Sequence, residues 1–265
     1  MRLNRPDPYE KDYYVSVRAD NKVFKDKISF KIKGEAIYFI SSKYKKWTRL
    51  CNIIYLRNYC PICSHPLKSR SSCRAHKQSR EFLDRTIAIG VYYQVRYPRR
   101  NYLSDLILML KNSIYPTLIL GAGIAYIIDT ELGKLSANDI DVITYVPKKK
   151  EEYKTDVDIG IRYNQSKVLA YIVASTLRKP LIQLVEKKRR FSLHGRTEEE
   201  RWKKAKNGYA VKNCEILNNY SYKRVAIVDD VRTSGSTGNA IAMHLKQICR
   251  VDKVYLLVAG RAYFL

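Results

Sequence analysis

Residues 225–238 read VAIVDDVRTSGSTG, and this stretch combines more consistent structural signals than any other part of the chain. Residues 225–228 are a short apolar run bounded by polar residues, which is typical of a strand buried on both faces. Two carboxylates, Asp229 and Asp230, follow at the carboxyl end of that strand. The loop at 233–238 consists of hydroxyl residues and glycines, and the apolar spacing after it predicts a helix.

A strand, a loop of small residues and a helix N-terminus together form a phosphate site, because free backbone N–H groups and the positive end of the helix dipole converge there. Adjacent carboxylates can hold sugar hydroxyls or Mg²⁺ beside such a phosphate. The alternative is an ordinary strand, turn and helix whose turn happens to be polar. The doubled aspartate followed by five small loop residues favours the phosphate site.

The 265 residues can bury a sizeable core, as one large domain or two small ones. Apolar residues make up 46% of the chain, which favours a globular protein over a disordered one. No run of about 18 apolar residues is present, and the N-terminal residues lack the apolar core of a signal peptide. We therefore expect no membrane span and a cytoplasmic location.

The formal net charge is +25, and the positive charge is concentrated near the N-terminus. Between Glu35 and Glu81 there is no acidic residue, whereas ten residues are Lys or Arg. Such a field attracts polyanions, and single-stranded DNA or RNA is the partner that we expect. Aromatic side chains in this window can stack on bases while the cations follow the phosphates, so the nucleic-acid candidates are Lys43, Lys45, Lys46, Trp47 and Arg49. The alternative is that the aromatic residues of this window form the core of a small module.

Two short cysteine motifs, CPIC at 60–63 and CRAH at 73–76, are separated by nine residues. This spacing predicts a tetrahedral structural Zn²⁺ site with the ligands Cys60, Cys63, Cys73 and His76. His65 is a possible competing ligand, and Cys51 could replace one of the four. The other two cysteines, Cys214 and Cys249, lie in apolar contexts and are predicted to be core thiols rather than a disulfide.

Strands alternate with helices over residues 86–265, and this order predicts an α/β fold with a doubly wound, mostly parallel sheet. Strands are expected at 86–95, 139–145, 225–228 and 253–259, and helices at 102–111, 116–132 and after Asn164. The basic segment 187–206 is predicted to be poorly structured. Residues 1–50 show short alternating segments that predict a small supporting β-sheet.

The acidic pair and the small-residue loop resemble the signature of type I phosphoribosyltransferases. The further order of parts resembles the ComF-like proteins, which combine an N-terminal zinc module with a phosphoribosyltransferase domain. These parts are the cysteine motifs, a strand that ends at Val146 and Pro147, a helix that starts at Asn164 and Gln165, and a basic loop before the signature. The resemblance covers roughly residues 51–263. It implies a zinc module at 51–84 and a phosphoribosyltransferase-like domain at 85–265, and the β-rich segment at 1–50 lies outside it.

The resemblance also implies roles for individual residues. Asp229 and Asp230 would be the catalytic pair, binding the ribose hydroxyls of phosphoribosyl pyrophosphate together with Mg²⁺. The loop that wraps the 5′-phosphate would be Thr233, Ser234, Gly235, Ser236 and Thr237. The pyrophosphate loop would be Val146, Pro147 and Lys148. The family is associated with DNA uptake, and its acceptor substrate is not well defined.

This sequence departs from the family pattern at several positions, among them Lys148, where a second proline is usual. Two functions therefore remain open. One is Mg²⁺-dependent pentosyl transfer to an unknown acceptor, linked to nucleic-acid handling. The other is a zinc-containing protein with little or no catalysis that binds DNA or RNA, with the ribosome as one candidate RNA partner.

Overall fold

The structure is a computed structural model, and it describes residues 8–19, 22–56, 59–65, 67, 73, 81–94, 100–192 and 195–263. It is a mixed α/β protein that contains one parallel sheet and several antiparallel sheets. The predicted zinc ligand His76 and the segments between these ranges lie outside the described residues.

An antiparallel sheet occupies the N-terminal region, where the sequence predicted short strands. Its strands pair in chain order and are β1 (Lys11–Ala19), β2 (Lys22–Lys33), β3 (Ala36–Ile40) and β4 (Thr48–Asn52). Alternate side chains are buried, as the period of a strand requires. The buried side packs on a helix of the following region, where the ring of Phe30 stacks on Tyr126 with centroids 5.1 Å apart. The sheet and that helix therefore share one core.

The remaining elements follow in chain order. They are β5 (Arg85–Tyr92), α1 (Tyr102–Met109), α2 (Tyr115–Asp129), β6 (Val142–Tyr145), β7 (Lys154–Thr155), β8 (Arg162–Tyr163), α3 (Gln165–Leu177), β9 (Val185–Lys187), α4 (Glu198–Gly208), β10 (Tyr209–Val211), α5 (Cys214–Asn219), β11 (Arg224–Arg232), α6 (Ser236–Ile248) and β12 (Lys253–Ala262). Single 3₁₀ turns lie at Ile54–Leu56, Ala137–Asp139 and Lys150–Glu152.

The central sheet has the strand order β5-β12-β11-β6, and all neighbouring strands are parallel. Alternate residues of these strands face two separate apolar clusters. Ala226 and Val228 belong to the cluster that contains α1, α2 and α3, whereas Val225 and Ile227 belong to the cluster that contains α4 and α6. Helices therefore cover both faces of the sheet, which confirms the predicted parallel α/β architecture.

Strand β11 is longer than the apolar run predicted, and the acidic pair lies inside it rather than after it. The reason is its neighbour: β12 continues to Ala262, so that Asp229 pairs with Val258 and Arg232 pairs with Arg261. The two aspartates still lie near the carboxyl edge of the sheet, where the shorter strand β6 has already ended.

Strand β6 is shorter than predicted, because two aspartates in the segment 139–145 serve other purposes. The Asp139 carboxylate accepts hydrogen bonds from the backbone and hydroxyl of Ser136 and so caps a 3₁₀ turn. The Asp141 carboxylate accepts from two backbone N–H groups and from the guanidinium of Arg224. Only residues 142–145 remain in the strand.

The prediction that residues 187–206 lack structure is wrong, since most of α4 lies within that segment. Thr197 and Glu200 form a reciprocal capping box at the helix start, with the Thr197 N–H 2.9 Å from the Glu200 carboxylate. The T-x-x-E pattern of a capping box is present in the sequence, but the many charged residues around it are equally typical of a loop.

The prediction for the last two cysteines is also wrong. Cys214 at the start of α5 and Cys249 at the end of α6 form a disulfide, with their Cα atoms 5.0 Å apart. The prediction relied on an assumed reducing compartment, whereas the fold brings together two residues that are 35 positions apart in the chain.

Candidate functional site

The carboxyl end of β11 opens into the predicted phosphate loop, which passes directly into α6. Gly235 caps this helix with φ +85° and ψ 0°, a left-handed conformation that other residues rarely adopt. The first N–H groups of a helix have no intrahelical partner, and the positive end of the dipole lies with them. The loop therefore has the architecture of a phosphate site, and the predicted residues that surround the helix start are Thr233, Ser234, Gly235, Ser236 and Thr237.

A buried arginine lies against this loop. Arg232 is 2% exposed, donates to the Thr86 hydroxyl and forms an ion pair with Glu81 whose Nη2–Oε2 distance is 3.1 Å. A β-carbon added at Gly235 would lie 2.7–2.9 Å from the guanidinium atoms of Arg232. The Nε of Arg232 has no hydrogen-bond partner. Glycine is therefore required at this position for space as well as for backbone conformation, and a fixed positive charge lies next to the loop.

The acidic pair is half-buried at the same edge of the sheet. The Asp229 Oδ1 atom accepts hydrogen bonds from the Ser166 hydroxyl at 2.7 Å and from the Asp230 N–H at 3.0 Å. Burial, and then the charge of Asp230, raise the pKa of Asp229 to about 7, although the charge of Lys148 acts in the opposite direction. Near neutral pH this carboxyl group can therefore keep its proton, or release it to solvent when a bound cation stabilises the carboxylate.

The predicted pyrophosphate loop lies next to the acidic pair. The Val146 N–H donates to the Val228 carbonyl at 3.1 Å, so the loop begins beside the residue that precedes Asp229. The Lys148 ammonium donates to the Gln165 side chain at 2.6 Å, and Val146 and Pro147 are buried. Asn164 caps α3 by accepting from the Ser166 N–H. The start of α3 thus connects the loop at 146–148 with the acidic pair.

A cavity of about 460 Å³ lies between Asp229 and the predicted phosphate loop. Its walls include Asp229, the loop at 233–238 and Arg201 of α4. The Nε of Arg201 is buried and has no hydrogen-bond partner. Two guanidinium groups therefore line the cavity together with the phosphate loop, and the Nε of each is buried without a hydrogen-bond partner.

A second, more open hollow of about 750 Å³ lies beside Tyr209. Lys187 is almost buried there, and its Nζ lies 2.6 Å from the Glu152 carboxylate and 4.3 Å from the centre of the Phe191 ring. Burial raises the pKa of Tyr209, and the charge of Asp229 contributes to this shift. Tyr209, which lines this hollow, therefore lies within electrostatic reach of the acidic pair.

Ser166, Arg232 and Arg261 belong to the site but were not predicted from the sequence. Arg232 lies within residues 225–238, but the sequence alone does not distinguish a buried arginine from an exposed one. Ser166 follows the predicted Asn-Gln helix start, and its hydroxyl could have been identified as a helix N-terminal donor. Arg261 carries no signal in the sequence, because only the parallel pairing of β11 with β12 places it beside Arg232.

Three of the predicted metal ligands lie together. The sulfur atoms of Cys60, Cys63 and Cys73 are all within 4.8 Å of one another, and this cluster could hold a metal ion. The predicted fourth ligand, His76, lies outside the described residues. Neither alternative ligand belongs to the cluster: Cys51 contacts the Ile89 carbonyl in the core, and the ring of His65 stacks on Tyr263. Thiolate sulfur is a preferred ligand of zinc, so the donor set is compatible with it.

One buried arginine connects the cysteine cluster with the phosphate loop. The guanidinium of Arg261 donates to the carbonyls of Arg232 at 2.9 Å and Thr233 at 2.5 Å, and it also interacts with the Cys63 side chain. A second connection runs through Thr86, whose carbonyl accepts from the Ser64 hydroxyl and whose own hydroxyl accepts from Arg232. The cysteine cluster and the loop are therefore connected through Arg261 and through Thr86.

The predicted nucleic-acid residues lie on or next to the N-terminal sheet. Lys43, Lys45, Lys46 and Arg49 are exposed, and Trp47 is half-buried beneath the Lys31 ammonium, 3.8 Å from the ring centroid. Other aromatic residues of the same window belong to the core: Phe39 and Tyr44 pack on Tyr102, and Tyr55 bonds with the backbone of Ala88. In this acid-free segment, these basic residues therefore lie on the surface, whereas several of the aromatic residues belong to the core.

No family model matches this chain, and no curated protein shows significant sequence similarity to it. Over the part of the chain that the structure describes, no helix is both long and apolar enough to cross a membrane. The geometry of the site is therefore the basis for assigning a function.

Proposed function

We propose that this chain is a phosphoribosyltransferase-like protein of the ComF type that binds phosphoribosyl pyrophosphate with Mg²⁺ and transfers its phosphoribosyl group to an acceptor. One observation carries the proposal. The acidic pair, the phosphate loop and the 146–148 loop come from three separate segments, and they meet at one edge of the parallel sheet.

Each part suits one portion of the donor molecule. The N-terminus of α6 and the guanidinium of Arg232 would hold the 5′-phosphate. The carboxylates of Asp229 and Asp230 would hold the ribose hydroxyls and Mg²⁺, whose preferred ligands are oxygen atoms. The loop at 146–148 would lie against the pyrophosphate, with Lys148 near enough to affect the charge of Asp229.

The reaction requires little covalent help from the protein. The bond between C1 of the ribose and a pyrophosphate oxygen breaks, and its electron pair leaves with pyrophosphate. A lone pair of the acceptor forms the new bond to C1, and the acceptor loses a proton if it carries one. Mg²⁺ would neutralise charge on the leaving group, while the protein positions the donor and excludes water.

Zinc is the metal that we propose for the Cys60, Cys63 and Cys73 cluster. Its role would be structural, because all three sulfur donors are buried or nearly so. Metal analysis of protein purified without chelator tests this assignment, and a stoichiometry near zero would remove it.

Calorimetric titration with phosphoribosyl pyrophosphate, with and without Mg²⁺, tests donor binding. We expect binding that depends on Mg²⁺ and is lost in the double variant Asp229→Ala/Asp230→Ala. The matched control is Asp252→Ala, which removes an exposed carboxylate at the opposite edge of the sheet and should bind normally. The absence of binding by the wild-type protein would end the proposal.

Pyrophosphate release distinguishes an enzyme from a binding protein. It should be measured with purine bases, pyrimidine bases and ammonia as acceptors. Release with any of them identifies the acceptor class. Tight binding without release from all of them would indicate a protein that senses the donor without turnover.

A further inference from the structure

We infer that the solvent-facing side of the N-terminal antiparallel sheet is a binding surface for single-stranded nucleic acid. This surface is separate from the cavity at the acidic pair, so the inference does not depend on the proposed transferase activity. This surface, the sheet face, comprises the outward residues of β1–β4 together with Trp47.

The sheet face is strongly basic. Its opposite side is filled by buried residues such as Val15, Ile28 and Phe30, so alternation directs the intervening residues outward. The outward cations are Arg18, Lys25, Lys27, Lys31, Lys33 and Arg49. The one outward carboxylate along these strands is Asp12, and it is already paired with Lys27 at 2.7 Å. Like charges at neighbouring positions repel one another, and an anionic partner relieves that repulsion.

Aromatic rings are interleaved with these cations. Tyr14 lies opposite Lys27 and is 79% exposed, an unusual fraction for a tyrosine on a strand. In the middle of the sheet, Tyr38 lies between Lys31 and Arg49 in a row that crosses three strands. Trp47 adjoins this row through its contact with Lys31. None of these three rings belongs to the apolar clusters on the buried side, so packing does not explain their presence.

Rings between cations match the chemistry of an unpaired nucleic-acid strand. Bases stack on aromatic side chains, while phosphates follow the positive charges. A duplex fits less well, because its major groove admits a helix or a two-stranded ribbon rather than a four-stranded sheet. A membrane surface also fits less well, since membrane-bound amphipathic surfaces bury large apolar side chains and this face carries few of them.

The exposed lysines Lys43, Lys45 and Lys46 extend the positive field beyond the sheet face. They lie in the connection between β3 and β4, next to Trp47. A strand that follows the central row therefore reaches these lysines, and the residues predicted from the sequence become the border of a larger surface whose centre is the sheet.

Fluorescence anisotropy with labelled homopolymers of about 16 nucleotides tests the inference, a length at the upper end of the range for single binding folds. Single-stranded DNA, single-stranded RNA, duplex DNA and anionic phospholipid vesicles are compared at several salt concentrations. We expect binding to at least one single strand, and the DNA and RNA arms show which. Stronger binding to the duplex or to vesicles would overturn the inference, as would no binding to either single strand.

Charge reversal locates the surface. The double variant Lys31→Glu/Arg49→Glu should weaken binding at least tenfold and reduce the slope of log affinity against log salt by about 1.4, because each lost phosphate contact contributes about 0.7 on a single strand. The matched control is Lys111→Glu/Lys134→Glu, which reverses two exposed lysines outside the sheet. An equal loss in the control would show that only net charge matters and would refute the assignment.

The intrinsic fluorescence of Trp47 reports stacking directly. The chain has two tryptophans, so Trp202→Phe leaves Trp47 as the single tryptophan, which can be excited selectively above the absorption of the tyrosines. Single-stranded nucleic acid should quench it, and Trp47→Ala should weaken binding about five- to a hundredfold. Unchanged melting temperatures confirm that the variants are folded. Binding without quenching, and with undiminished affinity after Trp47→Ala, would show that the strand binds elsewhere.

Discussion

Replacement of Gly235 by alanine should destabilise the phosphate loop for two separate reasons. The backbone at this position has φ +85°, and the left-handed conformation costs an alanine about 1–2 kcal/mol. In addition, the new methyl group would lie 2.7 Å from the nearest guanidinium nitrogen of Arg232. That side chain cannot withdraw without disturbing its ion pair with Glu81, so the collision should add about 1–3 kcal/mol.

A control separates these two contributions. Gly160 also has a left-handed backbone, with φ +72°, but no atom lies within 4 Å of an added β-carbon. Gly160→Ala should therefore show the backbone cost alone. The difference between the two variants, about 1–3 kcal/mol in the free energy of unfolding, measures the contact between Gly235 and Arg232.

Urea unfolding of both variants gives this difference, and titration with ribose 5-phosphate shows its effect on the site. Gly235→Ala should lose phosphate affinity, whereas Gly160→Ala should retain it. Equal destabilisation of the two variants would refute the close packing of Arg232 under the loop. Unimpaired phosphate binding by Gly235→Ala would refute the role of the loop.

Three further predictions concern the disulfide, the acidic pair and the metal cluster. Reduction of Cys214–Cys249, which closes a loop of 35 residues, should lower the free energy of unfolding by about 2–4 kcal/mol, and an unchanged urea midpoint under reductant would contradict it. The pKa of Asp229 is raised from 3.8 to about 7, so ionisation of this group destabilises the fold as the pH rises through that interval. In the absence of Mg²⁺, the melting temperature of Asp229→Asn should therefore exceed that of the wild type at a pH of about 8 and equal it at a pH of about 4. The same difference in melting temperature at both pH values would exclude a titrating Asp229. Because Arg261 contacts both Cys63 and the phosphate loop, chelation of the zinc proposed for the cysteine cluster should weaken ribose 5-phosphate binding severalfold, and unchanged affinity would show that cluster and loop are independent.

The sequence was most informative where one local rule decides the structure. The apolar run at 225–228 predicts a buried parallel strand, and the apolar spacing after the small-residue loop predicts a helix, because burial and periodicity depend on neighbouring residues alone. The T-x-x-E capping box at Thr197 is equally local, but the many charged residues around it are also typical of a loop.

The remaining features depend on long-range pairing. The disulfide between Cys214 and Cys249 requires that α5 and the end of α6 meet, which no spacing rule predicts. Arg261 reaches the phosphate loop only because β11 and β12 remain paired beyond the apolar part of β11. The sheet face likewise results from strand register, since Tyr38, Lys31 and Arg49 become neighbours only when three strands pair.

The central claim is that the N-terminus of α6 binds the phosphate of a phosphoribosyl group. Backbone amide resonances of isotope-labelled protein, followed during titration with ribose 5-phosphate, test it directly. We expect the amide resonances of residues 234–238 to shift most and those of the N-terminal sheet to remain unchanged. Shifts confined to other regions, or no shifts at millimolar ligand, would contradict it.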